Sequence, residues 1–217
     1  MRSFRHWTPR YVVDRTRDLL YTRRNPQAPW LTPQATQILT TMLRPGDRGM
    51  EFGSGRSTLW LAARTTHLTS VDDDARWYGK VADELRARRV GNVDHVFAAR
   101  DVAAERGERS EYARTVLRFA DASLDFVLVD GAYRDACALL SLAKLRPGGL
   151  LIVDNVGRFL PSASRSPEAR ACPRGPATPL WSVVAERIAP WRHIWTTNGV
   201  WDSAIYVKPY AAAGERG

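Results

Sequence analysis

The chain has 217 residues, 44% of them hydrophobic and 25% charged, with a formal net charge of +9. Those proportions suit one globular domain with a sizeable core and exclude a low-complexity or fibrous chain. No apolar run approaches the roughly 18 residues that a membrane span needs.

Residues 1–28 are rich in Arg, Pro and aromatics and read as an N-terminal arm, with a short helix expected from Asp14 to Tyr21. Residues 29–217 read as the main domain. Thr32-Pro33 predicts a helix start, Thr32 capping and Pro33 in the first turn. That helix should run to about Leu43, where Arg44-Pro45-Gly46 stops it. Strands are expected at Arg48–Phe52, His67–Val71, Val93–Ala98, Leu124–Val129 and Leu150–Val153. Helices are expected between them, at Thr58–Thr65, Asp74–Arg89 and Ala132–Lys144, and Glu111–Phe119 reads as either a helix or an irregular crossover. Leu124–Val129 is almost wholly apolar, as a central parallel strand buried on both faces should be. Residues 157–179 are crowded with Pro, Ser, Arg, Ala and Gly and predict a lid loop. A helix from Trp181 to Ile188 follows. Two last strands, His193–Thr197 and Ala204–Val207, form a hairpin around Asn198-Gly199 in this reading. The pattern predicts an α/β fold: a doubly wound, Rossmann-like, mostly parallel seven-stranded sheet with helices on both faces.

The richest segment is Met50-Glu51-Phe52-Gly53-Ser54-Gly55-Arg56-Ser57-Thr58. A strand runs into an acid, then Gly-x-Gly, then a helix, which builds a nucleotide-sized pocket. Asp72 follows about 20 residues on, where an acid can hold a ribose hydroxyl pair. The dinucleotide fingerprint wants a third glycine where Thr58 stands, and the P-loop wants a Gly-Lys-Ser/Thr that is absent. Phe126-Val127-Leu128-Val129-Asp130-Gly131 and Leu150-Leu151-Ile152-Val153-Asp154-Asn155 each put an acid at a strand's carboxyl end, where such sheets bind ligands. The plainer alternative is that these acids cap the helices that follow.

The acid-x-Gly-x-Gly pattern at Glu51–Gly55 resembles motif I of the class I S-adenosylmethionine-dependent methyltransferases. The resemblance covers roughly residues 30–155. It implies S-adenosylmethionine as cofactor, held by Trp30, Glu51, Gly53, Ser54, Gly55, Ser57, Asp72, Asp73, Asp101 and Asp130. Pro147-Gly148-Gly149 before the fifth strand, with Asp154-Asn155 after it, is similar to small-molecule O-methyltransferases of the catechol type. That likeness implies a magnesium ion on Asp130, Asp154 and Asn155, hard oxygen donors that suit it.

The chain departs from the catechol type at Tyr133, which stands where that family has a lysine base. Arg134 follows, and either binds an acidic substrate or braces Asp130. The base is then sought among His193, His95, His67 and His6, or in Asp154 itself. Asp130, Asp154 and His193 are the expected catalytic residues.

The function expected is methyl transfer to an oxygen of a small molecule such as a secondary metabolite, with the cation's assistance, and in the cytosol by default. A second copy of the chain is an allowed partner. The rival readings are a nucleic-acid methyltransferase and a non-catalytic nucleotide-binding protein. Charge favours the first, but arginine is dispersed, Lys stands only at 80, 144 and 208, and no Asn-Pro-Pro-Tyr motif occurs. An intact Gly-x-Gly with acidic partners argues against the second.

Overall fold

The computed structural model describes residues 7–210. Seven strands lie in one sheet: β1 (Arg48–Phe52), β2 (His67–Asp72), β3 (Val93–Phe97), β4 (Leu124–Val129), β5 (Leu145–Asp154), β6 (Arg192–Thr197) and β7 (Asp202–Val207). Their order is β3-β2-β1-β4-β5-β7-β6. β3 through β5 pair in parallel, and β7 runs antiparallel between β5 and β6. The chain leaves β1 towards β2 and β3, then returns to β4 on the other side of β1. The switch point between β1 and β4 opens a crevice at the strands' carboxyl ends.

Seven α-helices flank the sheet: α1 (Pro9–Arg24), α2 (Pro33–Met42), α3 (Arg56–Ala62), α4 (Ala75–Ala87), α5 (Glu111–Arg114), α6 (Arg134–Ser141) and α7 (Pro179–Ile188). Alternate residues of the central strands supply two cores. Val127, Val129, Leu151 and Val153 pack with Ala136, Cys137, Trp181 and Val184 of α6 and α7. Phe126, Leu128, Leu150 and Ile152 pack with Ala35 and Leu39 of α2 and Trp60 and Leu61 of α3. Burial on both faces is why these strands read as continuous apolar runs.

Local chemistry sets the helix starts. Thr32 accepts from the Ala35 N–H and Asp74 from the Trp77 N–H, each satisfying an orphan donor of the first turn. The predicted strands and helices are all present, with shifts of two or three residues at several ends and three larger differences of extent. The arm's helix spans Pro9–Arg24 rather than Asp14–Tyr21. It docks on the β6–β7 hairpin, where Asn198 donates to the buried Asp18 and the Arg15 guanidinium lies 5.7 Å from the Trp201 ring. The crossover after β3 is split between α5 and a 3₁₀ turn at Thr115–Arg118. β5 begins at Leu145, because Leu145 already pairs with Leu124 across a register shift.

Residues 157–179 lack a periodic pattern but are folded onto the domain. The Ser164 and Ser166 hydroxyls both donate to the buried Asp202 carboxylate, at 2.7 and 2.9 Å. The Arg170 N–H donates to the Gly157 carbonyl and the Ala177 N–H to that of Phe159. Phe159 stacks on Trp181.

Candidate active site

The crevice is lined on one side by the turn after β1. Gly53 has φ +93°, and a Cβ there would lie 2.8 Å from the Gly131 nitrogen. Only glycine permits both that backbone and that approach. The β1 and β4 turns therefore touch at the switch point, with their N–H groups brought to one place.

Glu51 is fully buried beneath this turn. Its Oε2 accepts from the Thr58 hydroxyl at 2.6 Å and the Ser70 hydroxyl at 2.8 Å. Its Oε1 is buried with no partner. Burial pushes the carboxyl up to about 7; hydrogen bonds from Ser57, Thr58 and Ser70 oppose the rise, and the Asp130 charge adds to it. Thr58 also accepts from the Gly55 N–H at 2.8 Å. The residue that breaks the dinucleotide fingerprint is thus the one tying the helix start to the acid.

Asp72 ends β2, 4% exposed. Its Oδ2 accepts from the Ser54 N–H and hydroxyl, at 2.8 and 2.7 Å, and its Oδ1 from the Asp74 N–H at 2.9 Å. It therefore orders the glycine turn from below. Asp73 is ion-paired with Arg100. Asp101 accepts from the Glu111 N–H at 3.0 Å, joining the loop after β3 to α5. Trp30 is exposed and stacks on Trp77 at 6.1 Å, while the Arg56 guanidinium lies 5.4 Å from its ring. The Trp77 Nε1–H donates to the Ser54 carbonyl at 2.7 Å. Trp77, in the first turn of α4, thus holds the roof of the glycine turn.

Across the crevice stand Asp130 and Asp154, at the ends of β4 and β5. Burial raises both carboxyls, Asp154 well above the carboxylate range with the Asp130 charge adding to the rise, while Arg134 draws Asp130 back down. The Ser203 hydroxyl donates to Asp154 at 2.7 Å, and Ser203 in turn accepts from the Thr32 N–H at 3.1 Å. Arg134 lies against Asp130: Nη2 donates to its carboxylate at 2.8 Å and its carbonyl at 2.6 Å. The same guanidinium donates to the carbonyls of Gly131 and Asp154.

This donor set does not fit the expected magnesium ion. A cationic guanidinium already holds Asp130 and donates to the carbonyls around it, whereas a hard dication needs a surplus of free anionic oxygen. Among the described residues no group of three or more His, Cys, Asp or Glu side chains could hold a metal ion. Asn155, the third expected ligand, has a left-handed backbone (φ 49°) that turns the chain out of β5, a conformation Asn tolerates.

The histidines are not at this edge. His67 is the first residue of β2. His95 sits mid-strand opposite Ser70 and stacks on Tyr78. His193 pairs with Tyr206, which pairs with Leu151, so it is level with a residue three before Asp154. That offset is about 10 Å along the strands. His193 is thus separated from the carboxyl pair it was expected to serve, and His6 lies outside the described residues. Tyr133, at the position of the family's lysine, donates its hydroxyl to the Val102 carbonyl. The residues missed in the sequence are Thr58, Ser70, Trp77 and Ser203. Only Thr58 carried a signal, as the odd residue in a glycine motif.

A methyltransferase-domain family model matches residues 50–156, from β1 to the turn after β5. No curated protein matches the sequence. Among solved structures, the O-methyltransferase TomG from Streptomyces achromogenes, in complex with S-adenosylmethionine, is similar at 20% identity. That match covers 87% of this chain and 86% of TomG, with a TM-score of 0.57. A candidate caffeoyl-CoA O-methyltransferase from Staphylococcus aureus matches at 15% identity, over 94% and 95% of the chains, with a TM-score of 0.55. A methyltransferase-like protein from Silicibacter pomeroyi matches at 21% identity, over 87% and 93%, with a TM-score of 0.54. At these identities the neighbours establish the fold. The family match covers the very span that carries the glycine turn and the strand-end acids, so residues 50–156 are a methyltransferase domain, in the fold of the class I S-adenosylmethionine-dependent enzymes.

Proposed function

We propose that the chain methylates an oxygen atom of a small-molecule acceptor without help from a metal ion. The observation that carries this reading is the pairing of two unlike acidic sites across one crevice. Glu51 keeps an unpartnered buried oxygen beside the Gly53 turn, and the Asp130–Asp154 pair faces it from β4 and β5.

S-adenosylmethionine would supply an electrophilic methyl group on a sulfonium. Glu51 Oε1 is suited to the ligand's ammonium group, the Gly53–Gly55 turn to its carboxylate, and the lip formed by Asp72 and Asp73 to its ribose. Asp101 and Trp30 would flank the adenine. On the other side an ionised carboxylate of the Asp130–Asp154 pair can accept a proton from the acceptor hydroxyl as the methyl group transfers. Holding nucleophile and methyl in line supplies much of the rate. The acceptor would enter from a cavity of about 600 Å³ between α1, residues 163–165 and the β6–β7 turn. Pro33 and Thr197 line that cavity, and the neighbouring Thr32 leads by hydrogen bonds through Ser203 to Asp154. TomG and the Staphylococcus protein, both described as O-methyltransferases, favour oxygen as the acceptor atom.

Calorimetry with S-adenosylhomocysteine tests the cofactor half. Asp72→Ala removes charge-assisted hydrogen bonds worth about 1.5–3 kcal/mol and should weaken binding accordingly. Equal affinity in wild type and variant would take Asp72 out of the cofactor site.

A further inference from the structure

We infer that the Arg134 guanidinium occupies the cation seat at the ends of β4 and β5, as a built-in replacement for a divalent metal. Four oxygens converge on it: the carbonyls of Asp130, Gly131 and Asp154, and the Asp130 carboxylate. Carbonyls and carboxylates from two adjacent strand ends are the donors a hard cation would take. The arginine reaches them from the first residue of α6, four positions after Asp130. Its side chain is 14% exposed, and its plane lies 5.6 Å from the Phe159 ring.

A mere brace on Asp130 would need one contact. Arg134 instead spends four of its five N–H donors on two strands, and leaves one on Nη1 without a protein acceptor. A guanidinium cannot lose its proton at ordinary pH, so the seat carries a permanent single positive charge. That charge offsets the carboxyl pair as a metal would, but it offers no open coordination positions. The acceptor therefore need not present two neighbouring oxygens, as a chelating catechol does. The inference deepens the reading above, yet its test does not depend on methyl transfer.

Manganese(II) is the probe, followed by loss of the free-ion signal in electron paramagnetic resonance. Wild-type protein should take up no stoichiometric Mn²⁺ in the submillimolar range. Arg134→Ala, which empties the seat, should gain one Mn²⁺ site at least about tenfold tighter than any in wild type. Adding Asp154→Asn to that variant should abolish the gain. Arg134→Met keeps the side-chain length without the charge and stands in if the alanine variant does not fold. S-adenosylhomocysteine calorimetry on each protein reports separately on the cofactor half. Stoichiometric Mn²⁺ in wild type that Asp154→Asn removes would overturn the inference. So would folded, S-adenosylhomocysteine-binding Arg134 variants that gain no Mn²⁺. Wild type that binds no S-adenosylhomocysteine would instead count against the methyltransferase assignment of the site.

Discussion

The β1–β2 side and the β4–β5 side of the crevice are built from the same part, an acid at a strand's carboxyl end, and come out opposite in character. On the β1–β2 side Glu51 is buried with hydroxyl donors on one oxygen and none on the other. On the β4–β5 side Asp154 is buried and Asp130 half-buried, and both are answered by Arg134 from within the chain. A buried acid is costly unless paired. One side leaves part of that cost to be relieved by a ligand; the other relieves it itself. Position at a strand end therefore does not decide what an acid binds. The neighbours on adjacent strands decide it.

The largest expected effect is at the contact between the two sides. Gly53→Ala puts a Cβ 2.8 Å from the Gly131 nitrogen at a backbone angle that disfavours side chains. Strain and overpacking together should cost about 4 kcal/mol in urea denaturation. A loss below a quarter of that would mean the two turns are not in firm contact.

Glu51 offers a sharper break. Its carboxyl titrates near 7 in the fold against 4.5 normally. A raised acid costs the fold nothing below its unfolded value, and the cost grows as pH rises from 4.5 through 7. The full difference is about 3 kcal/mol. Glu51→Gln should therefore gain stability relative to wild type as pH goes from 4.5 to 8. A wild-type-minus-variant difference that stays flat across this range would show that Glu51 is not buried as a lone acid.

The smallest effect is on the self-satisfied side. Ser203→Ala leaves Asp154 without its hydroxyl donor and the Thr32 N–H without its acceptor. The expected loss is about 2 kcal/mol by chemical denaturation, with S-adenosylhomocysteine affinity unchanged. Impaired cofactor binding in that variant would mean the two sides are coupled.

Much of this architecture was legible in the sequence because it rests on local signals. Apolar runs and the Thr32-Pro33 helix start announce strands and helices one by one. The glycine turn announces itself because Gly53 is needed for a positive φ. The histidines illustrate the limit. His193 looked close to the site along the chain, but a strand's register against its neighbours determines its height in the sheet. No local pattern encodes the pairing of Tyr206 with both His193 and Leu151. Residues 157–179 looked unconstrained for a similar reason: their anchor, Asp202, lies at least 23 residues further on.

By itself the sequence determined the order of strands and helices, the glycine turn and the acids that end β1, β2, β4 and β5, since each depends on residues within a few positions. Only the tertiary structure decided which acids keep an unpartnered oxygen. Thr58 and Ser70 satisfy one oxygen of Glu51 and leave the other bare, while Arg134 and Ser203 close around Asp130 and Asp154. Those partners converge from different strands and helices, and the charge state of a buried acid follows from what surrounds it in space.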